Sequence, residues 1–88
     1  MPEAANAELQ PLAIAVGEAW VNELVGSLRA DDRAIIGSWP GTLREARARI
    51  RVALRTKLDL HVIEELARIA YTAARRGWQE QSGPDTEP

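Results

Sequence analysis

Four arginines recur at helical spacing in the middle of the chain. They follow one another at steps of three, four and four residues, which places them along one side of a helix. A row of guanidinium groups about 5–6 Å apart suits a row of phosphates or the carboxylates of an acidic partner. This predicted partner- or anion-binding stripe consists of Arg44, Arg47, Arg51 and Arg55.

The charge pattern leaves two other interpretations of the stripe open. The net charge is −2: residues 1–42 carry −4, residues 43–79 carry +5 and residues 80–88 carry −3. The basic helix can therefore pair with Glu18 and Glu23 of an acidic helix, or it can simply be solvated. Because an acidic chain disfavours tight non-specific binding to nucleic acid, an acidic or apolar protein surface is the expected partner and nucleic acid is the alternative.

No residue pattern supports catalysis or a cofactor. The serines lack the glycine-rich turn of a hydrolase nucleophile, and a single histidine would have to act as a base alone. His61, Glu64 and Glu65 share a helix face, but helical di-iron proteins need such a motif twice. These carboxylates are more simply partners of Arg68 on the same helix. We expect no catalytic residue, no metal and no cofactor, and hence not an enzyme.

Three tryptophans in a chain with one tyrosine and no phenylalanine are expected to form the core. Trp39 and Trp78 lie at predicted element boundaries, where a half-exposed indole is also a common anchor for a partner. They are therefore candidate partner-binding residues as well as core residues.

Pro40, Thr42 and Glu45 mark the beginning of the basic helix. Pro40 favours an extended backbone at the residue before it. Thr42 and Glu45 have the spacing of a capping box, in which hydroxyl and carboxylate each accept from the other residue's backbone amide. We predict a helix over Leu43–Lys57, to which the cap contributes about 1 kcal/mol.

The first predicted helix is apolar around nearly half of its circumference. It runs from Pro11, which suits a first turn, to about Arg29, and residues 1–9 are expected to be flexible. A helix so apolar is normally buried on more than one side, so we expect the most buried element of the fold or a subunit interface. The candidate oligomer-interface residues are Ala15, Ala19, Trp20 and Gly26.

The apolar stripe changes phase between residues 43–57 and 60–78. On one continuous helix the two stripes would lie about half a turn apart, at about 100° per residue. We therefore predict a turn over residues 56–59, where Thr56 or Asp59 caps a third helix. The alternative is one long helix with two opposed apolar faces, each serving a different chain.

A connector joins the first two predicted helices. Asp31 and Asp32 are good caps for a single helical turn that contains Ile35 and Ile36. These isoleucines are expected to close one end of the core. At the other end of the chain, residues 80–88 are polar and expected to be disordered.

Length and composition limit the fold class and the cellular compartment. The 88 residues suffice for one small domain, placed at residues 10–79, and contain no cysteine. The amino-terminal residues do not resemble a signal peptide and no stretch is apolar enough to span a bilayer, so we expect a cytoplasmic protein without a membrane partner. The predicted fold is all-α, a small three-helix domain in a dimeric helical bundle, because three short helices leave apolar surface to cover.

These features predict a non-catalytic protein–protein interaction module, an adaptor or small regulator that acts as a homodimer. The alternative is a nucleic-acid-binding regulator that uses the arginine stripe. A helix-turn-helix is disfavoured because the turn before the basic helix is long and the third helix is too apolar for a DNA groove.

Overall fold

The computed structural model describes residues 2–55 and 57–82, with side chains for 8–29, 31–55 and 57–81. Within these residues the chain forms four helices and no strand, which confirms the all-α prediction. None of the described helices is both long and apolar enough to cross a membrane. The helices are α1 (Pro2–Gly26), α2 (Ala30–Ile36), α3 (Leu43–Leu54) and α4 (Leu60–Ser82).

Small residues hold α1 and α4 close together. A Cβ built on Gly17 would overlap the carbonyl oxygen of Ala70, and a Cβ on Gly77 would lie 2.9 Å from Cγ1 of Val21. At Gly17 the two backbones therefore approach so closely that only glycine fits, whereas Gly77 makes room for the side chain of Val21. The contacts advance together along both helices, so α1 and α4 are parallel.

α3 packs across one side of this helix pair and runs in the opposite direction. Its buried residues are Ala46 and Ile50. Ala46 belongs to a core cluster with Trp78, near the end of α4, whereas the end of α3 packs in a second cluster with Val62, near the beginning of α4. The core is therefore a layer between α3 and the α1–α4 pair.

The three tryptophans belong to the core, as predicted, and lie together at one end of it. The ring centroids of Trp20 and Trp39 lie 4.9 Å apart in an edge-to-face arrangement, and those of Trp39 and Trp78 lie 5.8 Å apart. Trp78 Nε1 also donates a hydrogen bond to the carbonyl oxygen of Gly37 at 2.8 Å. The connector is thereby tied to the last turns of α4.

The predicted capping box begins α3. The backbone amide of Glu45 donates to Thr42 Oγ1 at 3.1 Å, and the amide of Thr42 donates to Glu45 Oε1 at 3.0 Å. The helix ends at Leu54, three residues before the predicted end.

α3 and α4 are separate helices, so the alternative of one long helix is wrong. The backbone turns at Arg55, which is left-handed, and α4 begins at Leu60. Asp59 immediately precedes α4, and its carbonyl oxygen accepts from the amide of Ile63 at 3.0 Å. The other predicted cap, Thr56, lies outside the described residues.

The outer ends of α1 and α4 differ from the predicted ones. α1 begins at Pro2 instead of Pro11, because the alanine-rich residues before Pro11 are good helix formers. The flexibility of residues 1–9 stays a prediction. α4 continues past Gly77 to Ser82, because this glycine packs inside the helix pair and does not end it. Residues 83–88 of the predicted tail lie outside the described residues.

The most buried helix is α4, so the expectation that the first helix takes this place is wrong. α4 is covered by α1 on one side and by α3 on another, whereas α1 and α3 contact each other much less. Alanines on α4 permit this double approach because they add little bulk. The buried residues of α4 are Ile63, Leu66, Ala67, Ala70, Ala74 and Trp78.

The isoleucines of α2 do not close the core, contrary to expectation. Ile35 is 82% exposed and Ile36 is 37% exposed. Asp32 acts from inside the first turn, where its carboxylate accepts from the backbone amide of Arg29 at 3.3 Å. Because the tryptophans already fill this end of the core, α2 lies on the surface.

Replacing Gly17 with alanine should lower the free energy of unfolding by about 1–3 kcal/mol, because the added methyl group would collide with the α4 backbone. The matched change Gly26→Ala meets no atom within 4 Å. It should leave stability unchanged or raise it by up to about 1 kcal/mol. Urea unfolding followed by circular dichroism measures both effects. Equal effects of the two substitutions would contradict the close contact of α1 and α4.

Candidate functional site

Two arginines on opposite flanks of α3 contact the neighbouring helices. Arg49 Nη1 donates to Glu23 Oε1 of α1 at 3.0 Å, and its guanidinium carbon lies 5.1 Å from the ring centroid of Trp20. On the other flank, Arg47 forms an ion pair with Glu64 of α4 at 3.5 Å. Residues two positions apart on a helix point about 200° apart, so these two arginines reach different neighbours.

The expected pairing of the basic helix with the acidic first helix is present, but through a residue outside the predicted stripe. Arg49 makes this pair with Glu23. In the part of the chain that the structure describes, Glu18 forms no ion pair. Exposed pairs of this kind contribute about 0–1 kcal/mol each, so the orientation of α3 depends mainly on burial of Ala46 and Ile50.

The side of α3 that faces away from α1 and α4 is exposed along its length. Its residues recur at steps of four, three, one and three, and every one of them is exposed. Among the described side chains, no carboxylate oxygen lies within 4.0 Å of the guanidinium nitrogens on this side. This surface, named the outward face of α3, consists of Arg44, Ala48, Arg51, Val52 and Arg55.

The outward face differs from the predicted arginine stripe in two ways. Arg47 leaves the stripe because it turns towards α4. Val52 joins the surface and is 68% exposed. Helical spacing alone could have placed Val52 beside Arg44 and Arg51, but the prediction from the sequence included only the arginines of this side.

Arg55 ends the outward face in an unusual backbone conformation. Its φ and ψ are 56° and 27°, in the left-handed region, and its amide donates to the carbonyl oxygen of Arg51 at 3.0 Å. This position of a helix is usually glycine, because a side chain there costs about 1–2 kcal/mol. Arg55 therefore keeps an exposed guanidinium at the end of α3 at a cost in stability.

The tryptophans predicted as partner anchors are enclosed by the chain itself. Trp39 is 7% exposed and Trp78 is 2% exposed. Their edges contribute to a recess that Tyr71 and Arg75 also line. The two indoles therefore offer little surface of their own to a partner.

The predicted oligomer-interface residues separate into two environments. Ala15, Ala19 and Gly26 are exposed on the outer side of α1, whereas Trp20 is 4% exposed beneath Arg49. Trp20 therefore belongs to the core of a single chain. Contact of the other three with a second copy stays a prediction.

Glu64, one of the two acidic residues beside His61, takes part in surface ion pairs. Glu64 pairs with Arg68 on the same helix at 3.7 Å, as predicted, in addition to its pair with Arg47. Among the described residues, no group of three or more His, Cys, Asp or Glu side chains is arranged to hold a metal ion.

Arg55→Gly should raise the free energy of unfolding by about 1 kcal/mol, because glycine adopts the left-handed conformation without strain. Arg51→Gly, the same change inside α3, should lower it by about 1 kcal/mol through loss of helix propensity. The two opposite signs are measured by urea unfolding. A loss of stability in both variants would contradict the left-handed conformation of Arg55.

Comparison with known proteins assigns no family to the chain. No protein-family model matches the chain, and no curated protein or solved structure matches it either. The functional interpretation therefore rests on the surfaces of the molecule, above all on the outward face of α3.

Proposed function

We propose that this protein is a non-catalytic docking module whose outward face of α3 binds an acidic amphipathic helix of another protein. The observation that carries the proposal is that only some arginines of α3 form ion pairs with the neighbouring helices. Arg47 and Arg49 pair with neighbouring helices. Arg44, Arg51 and Arg55 project from the side that faces away from α1 and α4, without a carboxylate partner among the described residues.

The mixture of charge and apolar surface favours a protein partner over nucleic acid. Val52 lies between the arginines and is 68% exposed, and Ala48 leaves room for the close approach of a second helix. Leu60, at the end of the bundle where α3 stops, is 73% exposed. Arginine next to exposed aliphatic residues is typical of protein interfaces, whereas phosphate binding needs no apolar contact.

The strained conformation of Arg55 supports the same proposal. A glycine would end α3 more stably, so the chain retains an arginine where stability alone favours another residue. Strain of this kind is found preferentially at functional positions.

A labelled helical peptide with leucines on one face and flanking glutamates should bind the protein, as measured by fluorescence anisotropy. Arg44→Glu/Arg51→Glu should weaken binding at least tenfold, because two attractive contacts become repulsive. Val52→Asp should weaken it as well. Arg55→Gly should weaken binding while stabilising the fold, which separates a binding defect from unfolding.

Matched controls define the outcomes of this experiment. Arg29→Glu/Arg75→Glu makes the same charge change elsewhere on the surface and should leave peptide affinity nearly unchanged. Ile35→Asp is the control for Val52→Asp, because it places an aspartate at an exposed aliphatic residue away from α3. It should leave peptide affinity nearly unchanged as well. Random duplex DNA is the second probe. Two results together would replace this proposal with the nucleic-acid alternative. The first is tight DNA binding with a slope of log affinity against log salt of about −2.7, the value for three neutralised phosphates. The second is that Val52→Asp leaves this DNA binding unchanged.

A further inference from the structure

A trough runs between α1 and α4 on the side that α3 does not cover. Of the described residues, only those of α1 and α4 line it. Its floor is apolar and its rim includes Ile14, which is 42% exposed. Glu18 stands on the α1 wall, whereas two guanidinium groups and one carboxylate stand on the α4 wall. The residues of this α1–α4 trough used below are Ile14, Glu18, Arg68, Ile69, Ala73, Arg76 and Glu80.

We propose that a second copy of this chain covers the trough in a two-fold symmetric dimer. Since α1 and α4 are parallel, a two-fold axis along the helices places α1 of one copy over α4 of the other at the same height. Gly17 is level with Ala70 and Ala73, so Glu18 lies within about one helical turn of the level of Arg76. Glu18 therefore meets the partner's Arg76, and the symmetry makes this contact twice.

The charges of the trough select a second copy as the occupant. The α1 wall carries Glu18, whereas Arg68 and Arg76 outweigh Glu80 on the α4 wall and leave it with a net charge of +1. A uniformly acidic or basic partner would therefore meet like charge on one wall. A second copy turned by the two-fold axis brings acidic wall to basic wall on both sides. The proposed interface differs from the one predicted from the sequence. It uses the side of α1 that lines the trough instead of the outer side with Ala15, Ala19 and Gly26.

The face must be used along most of its length to form a stable dimer. It is built by two helices of 25 and 23 residues; at about 1.5 Å per residue and about 10 Å in diameter, two such helices side by side present roughly 700 Å², close to the roughly 800 Å² per partner of a standard interface. An apolar floor with a charged rim is also the usual arrangement of an interface. The outward face of α3 stays exposed in this dimer, so the proposal does not depend on what α3 binds.

A charge-swap heterodimer tests the proposal by sedimentation equilibrium at tens of micromolar. The wild-type chain should sediment at twice its mass of 9.7 kDa. Glu18→Arg and Arg76→Glu should each be monomeric, because each places like charges opposite one another. An equimolar mixture of the two variants should again form a dimer, since both contacts are then attractive. Rescue in the mixture cannot arise from contacts within one chain.

Neighbouring substitutions are the matched controls. Ala19→Arg and Arg75→Glu introduce the same side chains one residue away, outside the trough, and should leave the dimer intact. A wild-type chain of 9.7 kDa overturns the proposal, as does a dimer that survives both trough substitutions. Loss of the dimer in Ala19→Arg alone would assign the interface to the outer side of α1.

Cysteine cross-linking gives a second measurement that does not depend on charge. The sequence contains no cysteine, so an Ile14→Cys chain mixed with an Ile69→Cys chain can form only engineered disulfides. We expect a cross-linked heterodimer under mild oxidation, because the two-fold arrangement sets α1 of one copy against α4 of the other. Cross-linking that is no faster than between Ile14→Cys and Val52→Cys chains would overturn the proposed face.

Discussion

The contact of Gly17 with the backbone of Ala70 is the constraint on which the rest of this structure depends. Two helices that touch backbone to backbone have no space for large side chains between them. Bulky residues must therefore project above or below the pair. On one side they meet α3 and form the core; on the other side they line the α1–α4 trough. The division of the molecule into a covered and an open side follows from this single close approach.

α3 completes the core because burial of Ala46 and Ile50 sets its rotation. With this rotation Arg49 reaches α1 and Arg47 reaches α4, which leaves the third side of the helix to solvent. These ion pairs are individually weak. The burial of the apolar face therefore determines which arginines pair within the fold and which stay exposed. Residues of one type, a few positions apart, thus take different roles.

The tryptophan cluster connects the connector before α3 to the end of the α1–α4 pair. Trp39 packs between Trp20 and Trp78, and Trp78 holds the carbonyl of Gly37. The connector is thereby fixed although α2 itself lies on the surface. Two exposed surfaces of different chemistry, the outward face of α3 and the α1–α4 trough, are left on a molecule whose core occupies one layer.

The sequence by itself determined the features that depend on neighbours along the chain. The capping box at Thr42, the break between α3 and α4 and the tryptophan core were all predictable, because hydrogen-bonding reach, helical phase and side-chain size are local properties. Only the tertiary structure decided that α4 is the central helix, that Arg47 turns inward and that Ile35 stays exposed. These outcomes depend on which helix lies between the others. The alanines of α4 are compatible with one neighbouring helix or with two, so the composition of α4 alone does not identify it as the central helix.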